Sequence, residues 1–155
     1  LVSDIEIFTE SAAATQKLGE KLAADIISGK TSAKVLCLYG DLGSGKTTFV
    51  QGLASGLGIN KRIISPTFII IRHYKIRIND EGLRINDFYH IDLYRVETKE
   101  DIGGLGIEEI INNKNNIVVI EWAEKLKNFL QKKRIDIKFF YEGENKRKIT
   151  FTLGF

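Results

Sequence analysis

Residues 35 to 49 read VLCLYGDLGSGKTTF, and no other stretch restricts the possible folds as much. An apolar run from Val35 to Tyr39 stops at Gly40. Gly40, Gly45, Lys46 and Thr47 then satisfy G-x-x-x-x-G-K-T, the pattern of a phosphate-binding loop set between a strand and a helix. A loop that wraps a triphosphate turns successive backbone N–H groups inward. That needs backbone angles most side chains forbid, so glycine recurs at 40, 43 and 45. The helix that follows presents its positive end to the phosphates. Lys46 adds a mobile point charge for the β- and γ-phosphates. The Thr47 hydroxyl is placed to ligate Mg²⁺, and Thr48 to donate toward an α-phosphate oxygen. A chance glycine-rich turn would not need a strand-like run before it and a helix-like run after it. The predicted nucleotide-contacting residues are therefore Gly40, Asp41, Leu42, Gly43, Ser44, Gly45, Lys46, Thr47 and Thr48.

The chain has 155 residues, enough for one domain with a real core. Charged residues at 28% and apolar residues at 43% are those of an ordinary globule. One proline and no low-complexity tract speak against long disordered segments. The single cysteine, Cys37, has no intramolecular disulfide partner and reads as a small buried hydrophobe in a reducing compartment. No apolar stretch approaches 20 residues, so no membrane span is expected. LVSDIEIFTE lacks a basic stretch followed by an apolar core, so no signal peptide is expected, and the expected location is cytoplasmic. The net charge of +3 does not by itself imply nucleic acid. Its distribution is uneven: Trp122 to Phe155 carries nine Lys/Arg against four Asp/Glu, a net of +5, which leaves the rest near −2. That segment is either a solvated basic face or a patch for RNA or an acidic partner.

Ile5, Ile7 and Phe8 predict a short first strand. Thr9 or Ser11 then caps a helix through about Ser28, with Ala14, Leu18, Leu22 and Ile26 at helical spacing. A strand at 34–39 feeds the loop, and a helix runs from Lys46 to about Leu57. Pro66 holds Ser65 extended, and Phe68 to Ile71 are strand formers. Asn79 to Gly82 form the turn of a predicted hairpin, with alternating apolar residues on both arms. Thr98 to Asn112 reads as two short helices around a glycine-bent loop. Ile117 to Ile120 is a buried strand. A helix near Glu124 to Leu130 and strands at 134–141 and 147–153 complete the chain. The expected fold is α/β of the P-loop NTPase kind: a mostly parallel central sheet flanked by helices, with one antiparallel edge from the terminal hairpin.

A phosphate loop that hydrolyses its nucleotide needs a carboxylate to organise Mg²⁺ and the attacking water. Such a group sits at the C-terminal end of a strand beside the loop strand. Glu121 directly follows four apolar residues, and a carboxylate there is costly without work or a partner. Asp92 follows the less continuous Tyr89-His90-Ile91. Ser65-Pro66-Thr67 places two hydroxyls after the loop helix, as a γ-phosphate sensor or as an ordinary turn. His73 and His90 have no companions that would make a metal site, and each reads as a hydrogen-bonding or structural histidine.

Four blocks in order now resemble a known family: GDLGSGKTTF at 40–49, SPTF at 65–68, HIDLYR at 90–95 and IEWAEKL at 120–126. They are similar to those of the TsaE (YjeE) family, small bacterial ATPases of tRNA threonylcarbamoyladenosine synthesis, and the likeness spans nearly the whole chain. The resemblance implies a P-loop ATPase that uses ATP and Mg²⁺. It implies phosphate and Mg²⁺ binding by Lys46 and Thr47, and a nucleotide-responsive loop with switch residues Ser65 and Thr67. It makes Asp92 and Glu121 the catalytic carboxylates, Glu121 near Mg²⁺ with Trp122 beside it. It implies TsaD and TsaB as partners. TsaD transfers threonylcarbamoyl to the adenosine 3′ of the anticodon, the ATPase supports turnover of that complex, and tRNA is met indirectly. The segment between SPTF and HIDLYR is longer than usual for the family.

Three other readings compete. A small GTPase would use Asp101-Ile102-Gly103-Gly104 and Asn113-Lys114-Asn115-Asn116. The first follows a charged run where a buried strand is needed, and the second lacks the closing Asp that pairs with guanine. A small-molecule kinase would need an Arg-rich lid, and none is apparent. A nucleotide-gated binding module with incidental hydrolysis differs from an enzyme in class, not in the residues it needs.

Overall fold

A computed structural model describes residues 4–64, 69–76, 78, 85–126 and 129–154. The strands are β1 Asp4–Thr9, β2 Val35–Tyr39, β3 Ile71–Lys75, β4 Asp87–Asp92, β5 Asn116–Glu121, β6 Arg134–Tyr141 and β7 Arg147–Gly154. The helices are α1 Ala12–Ile27, α2 Lys46–Gly56, α3 Lys99–Gly103 and α4 Ile107–Asn112. All seven strands form one sheet in the order β1-β7-β6-β2-β5-β4-β3. The centre is parallel (β6 with β2, β2 with β5, β5 with β4), and the margins are antiparallel.

The parallel centre follows from composition. All six residues of β5 are buried, as both faces of a central parallel strand require. On one face α1 and α2 pack Leu22, Phe49 and Leu53 against Leu36, Leu38, Ile137 and Ile149. α1 starts where Ser11 accepts the Ala14 N–H, the expected cap. It lies hard against α2: a Cβ on Gly52 would stand 1.9 Å from the Gln16 carbonyl oxygen, so only glycine fits there. On the other face α3, α4 and the segments beside them pack Ile102, Ile107 and Ile111 with Val35, Cys37, Ile91, Val118 and Ile120. Among the described residues, that second layer covers the middle of the sheet only. On the β1–β7–β6 wing, Phe8 is 61% and Phe140 42% exposed.

Several expectations change. The terminal hairpin is not the margin, because β1 pairs antiparallel with β7 and lies outside it. The opposite margin, β3 on β4, is antiparallel as well, so both edges are. That pairing agrees with the predicted hairpin, while its turn at 79–82 lies outside the described residues. The third strand starts at Ile71, and Phe68 also lies outside them. No helix spans 124 to 130 among the described residues. A 3-10 turn, Ala123–Lys125, follows Trp122, whose backbone is left-handed (φ 58°). The two short helices at 98–112 form as expected.

Candidate functional site

The apolar run of β2 ends at the sheet's C-terminal edge, and the chain turns there through Gly40 to Gly45 into α2. Gly40 has φ 148°, and a Cβ on it would meet Ser44 Oγ at 2.7 Å and the Phe139 carbonyl oxygen at 2.8 Å. A larger residue would push the loop off the sheet edge. α2 carries no acidic residue in its first turn, so its positive end faces the loop unopposed. Lys46 is its first residue.

Residues Asp41 to Thr48 line a cavity of about 350 Å³ together with Asp92, Tyr94, Glu121, Trp122 and Arg147. The loop and both predicted carboxylates therefore meet in one place. Asp92 and Glu121 end neighbouring parallel strands as register partners. Asp92 is 7% and Glu121 3% exposed. Asp92 Oδ1 accepts the Tyr94 N–H at 3.0 Å, and Glu121 Oε2 lies 2.5 Å from His90 Nε2. Ser65 and Thr67, the predicted switch, lie outside the described residues.

Lys46 is also buried, at 6% exposure. Its ammonium donates to the Gly40 carbonyl and, at 3.2 Å, to that of Asp41. The same Nζ lies 4.8 Å from the Trp122 ring centroid, a cation–π contact. Burial holds the Lys46 pKa below the usual lysine value, opposed by the charges of Glu121, Asp92, Glu124 and Asp41. Trp122 sits beside Tyr94, ring centroids 5.1 Å apart. Lys125 clamps this corner by donating to the carbonyls of Tyr94 (2.6 Å) and Val96 (2.8 Å).

Arg147 is the site residue that sequence reasoning counted only as surface charge. Its Nη2 donates to the Gly43 carbonyl at 3.1 Å, and its guanidinium packs 4.6 Å from the Tyr141 ring. It brings β7 onto the phosphate loop. A recess of about 90 Å³, lined in part by Ser11, Thr15 and Asn145, shares Gly45, Thr48 and Arg147 with the main cavity. Arg147 stands in the run Lys146-Arg147-Lys148, where nothing separates it from its neighbours except strand alternation.

The donor chemistry fits a magnesium nucleotide. Thr47, Asp92 and Glu121 offer hard oxygen ligands around one cavity, the type Mg²⁺ takes beside phosphate oxygens and water. Ser44 Oγ and Arg147 Nε are buried at the same loop without hydrogen-bond partners among the described residues, and Lys46 is turned onto the loop's own carbonyls. Such orphaned groups are what an anion would satisfy. The GTPase-like motifs have other work. Asp101 closes a capping box with Thr98 at α3, and Asn113 accepts the Asn115 N–H in the turn before β5. A larger groove, about 530 Å³, runs beside α3 and α4, and none of the phosphate-loop residues lines it.

Comparisons with known proteins agree with this geometry. The family described as "Threonylcarbamoyl adenosine biosynthesis protein TsaE" matches residues 9–149. A relative from Bacillus subtilis, named tRNA threonylcarbamoyladenosine biosynthesis protein TsaE, is 42% identical over 118 residues, covering 76% of this chain and 68% of its own. A protein of the same name from a Nostoc species is 39% identical over 153 residues, covering 95% and 85%. The crystal structure of YdiB from Bacillus subtilis superposes with a TM-score of 0.76 at 32% identity, covering all of this chain and 88% of that one. With a phosphate loop, two strand-end carboxylates and a family match over most of its length, this chain belongs to the TsaE family.

Proposed function

We propose that the protein binds ATP with Mg²⁺ and hydrolyses it slowly, in support of a TsaD–TsaB complex that installs threonylcarbamoyl on the tRNA adenosine next to the anticodon. One observation carries this reading: the phosphate loop, Asp92, Glu121 and Trp122 line a single cavity. The loop's N–H groups and the α2 N-terminus receive the phosphates. Lys46 leaves the Gly40 and Asp41 carbonyls for the β- and γ-phosphate oxygens. Thr47 and Glu121 would hold Mg²⁺, which neutralises charge on the transferring phosphoryl group. Asp92, fixed by the Tyr94 N–H, orients water. The recess beside Thr48 and Arg147 takes the nucleoside end. Ser65 and Thr67 respond to the γ-phosphate, and the protein acts in the cytoplasm.

Titration of ATP and GTP against Trp122, the single tryptophan, tests the base preference. ATP is expected to bind tighter, and tighter GTP binding would sink the assignment. Glu121→Ala and Asp92→Ala are each expected to abolish turnover while retaining nucleotide binding. Turnover unchanged in both variants removes them from the mechanism. Co-purification with TsaD and TsaB should depend on nucleotide, and no association in any nucleotide state would count against the partnership.

A further inference from the structure

His90 is fully buried, in the middle of β4 between Tyr89 and Ile91. Its register partner on β5 is Val119, and it lies two residues before Asp92, so the two side chains share a sheet face. From there the imidazole reaches diagonally to β5, where Nε2 meets Glu121 Oε2 at 2.5 Å. Facing a carboxylate, that nitrogen is the donor. The other ring nitrogen, Nδ1, is buried and has no hydrogen-bond partner among the described residues. A histidine kept only to satisfy the core would use both nitrogens, and an apolar residue would fill this place without leaving an orphaned atom. What the imidazole gives in return is its hold on Glu121.

That hold fits a need of the neighbouring residue. A glutamate has three side-chain torsions, and a ligand that wanders among rotamers binds a hard cation poorly. Glu121 ends a rigid strand, but its carboxylate is fixed only by what touches it. The imidazole occupies one of its two oxygens. Asp92, its register partner, is held separately by the Tyr94 N–H. Each carboxylate thus has a contact of its own to β4 or its exit.

We infer that His90 is a positioning residue: its Nε2–H fixes one oxygen of Glu121, so that the carboxylate is ready to receive the Mg²⁺ of a bound nucleotide. This rests on the magnesium-nucleotide reading above. Outer partners of metal ligands act in this way, by orienting a ligand they do not replace.

The test is a Mg²⁺ titration of ATP binding followed by Trp122 fluorescence, on the full chain. His90→Leu keeps the volume and removes the donor. It is expected to raise the Mg²⁺ midpoint by about tenfold or more, with Mg²⁺-free ATP affinity kept within about twofold. His90→Gln, whose amide still donates, is expected to recover most of the shift. In a Glu121→Gln background, His90→Leu should add no further rise, because the group it positions has lost its charge. A midpoint that stays put while thermal stability falls would show a purely structural histidine and overturn the inference. So would a rise that persists in the Glu121→Gln background.

A measurement on the unmodified protein removes any dependence on folding of the variants. With ¹⁵N-labelled histidine, the His90 Nε2 resonance should move when Mg²⁺ joins ATP. That of His73, which is engaged with Asp87 on the β3–β4 margin, should not. A motionless His90 signal would refute the positioning role. Trp122 emission that ignores ATP at every Mg²⁺ concentration would sink the nucleotide reading itself and this inference with it. An ATP response with no Mg²⁺ dependence would sink the His90 inference alone.

Discussion

At the scale of single residues, which side chains line the candidate site was legible wherever the sequence pattern is local. Gly40, Lys46 and Thr47 are named by their spacing, and Glu121 by the apolar run before it. Arg147 was not legible. It acts through a contact with Gly43 that spans 104 positions, and only strand pairing creates that contact. The partner of His90 was hidden for the same reason. Cys37 behaved as composition suggested, being fully buried. Burial, reinforced by the charge of Asp136, pushes its thiol up to about 12. It should therefore resist thiol reagents at pH 8 in the folded protein and react at the unfolding rate or after denaturation. Rapid stoichiometric labelling of native protein would contradict the buried placement. Arg147→Ala is expected to weaken ATP binding, because the loop loses a guanidinium that holds the Gly43 carbonyl. Isothermal titration beside the intact protein measures this, and equal affinities would remove Arg147 from the site.

Elements were legible where one period dominates. The apolar positions of α1 recur at helical spacing, and β5 is a short apolar block, so both appear where they were expected. The segment near 124 shows the limit: a helix was expected through about Leu130, and the described residues form a 3-10 turn at Ala123–Lys125. Trp122 just before it has a left-handed backbone, and its ring lies 4.8 Å from the Lys46 ammonium, a tertiary contact that local propensity does not contain. Pairing was the other blind spot, since strand formers at 5–8 do not say which strand they will join. The α1–α2 contact makes its own prediction. Gly52→Ala puts a methyl group against the Gln16 backbone, which cannot swing aside as a side chain would. The helices must separate, and a loss of about 2 kcal/mol in unfolding free energy is expected. Denaturant titration checks this. A neutral or stabilising result would mean that the helices do not pack so closely.

Over the whole molecule, the positive balance of the last 34 residues falls in two different places. Arg147 serves the phosphate loop. Lys138 and Lys148 face outward on the open wing, where Phe8, Lys148 and Phe140 stand abreast as register partners and the Lys148 ammonium lies 4.6 Å from the Phe140 ring. Exposed aromatic rings beside cations, uncovered among the described residues, would suit unstacked bases. Reversing Lys146, Arg147 and Lys148 together would be a poor test of RNA contact, because it also damages the nucleotide site. Lys138→Glu with Lys148→Glu is the cleaner probe. If this face meets tRNA, the pair should abolish a salt-sensitive gel shift without altering ATP affinity. A shift that survives the pair would assign this face to solvent or to a protein. Net charge showed the imbalance, but the face it falls on is a property of sheet order.

The reach of Arg147 to Gly43 also bears on how the protein is made. Synthesis delivers the phosphate loop early and the strand that steadies it about a hundred residues later. At 5 to 20 residues per second, that is a delay on the order of ten seconds. During that interval a nascent chain holds a glycine-rich loop whose clasp does not yet exist. On the magnesium-nucleotide reading, competence to grip nucleotide then arrives with β7, so a chain truncated before β7 should fail at binding even where its loop is intact.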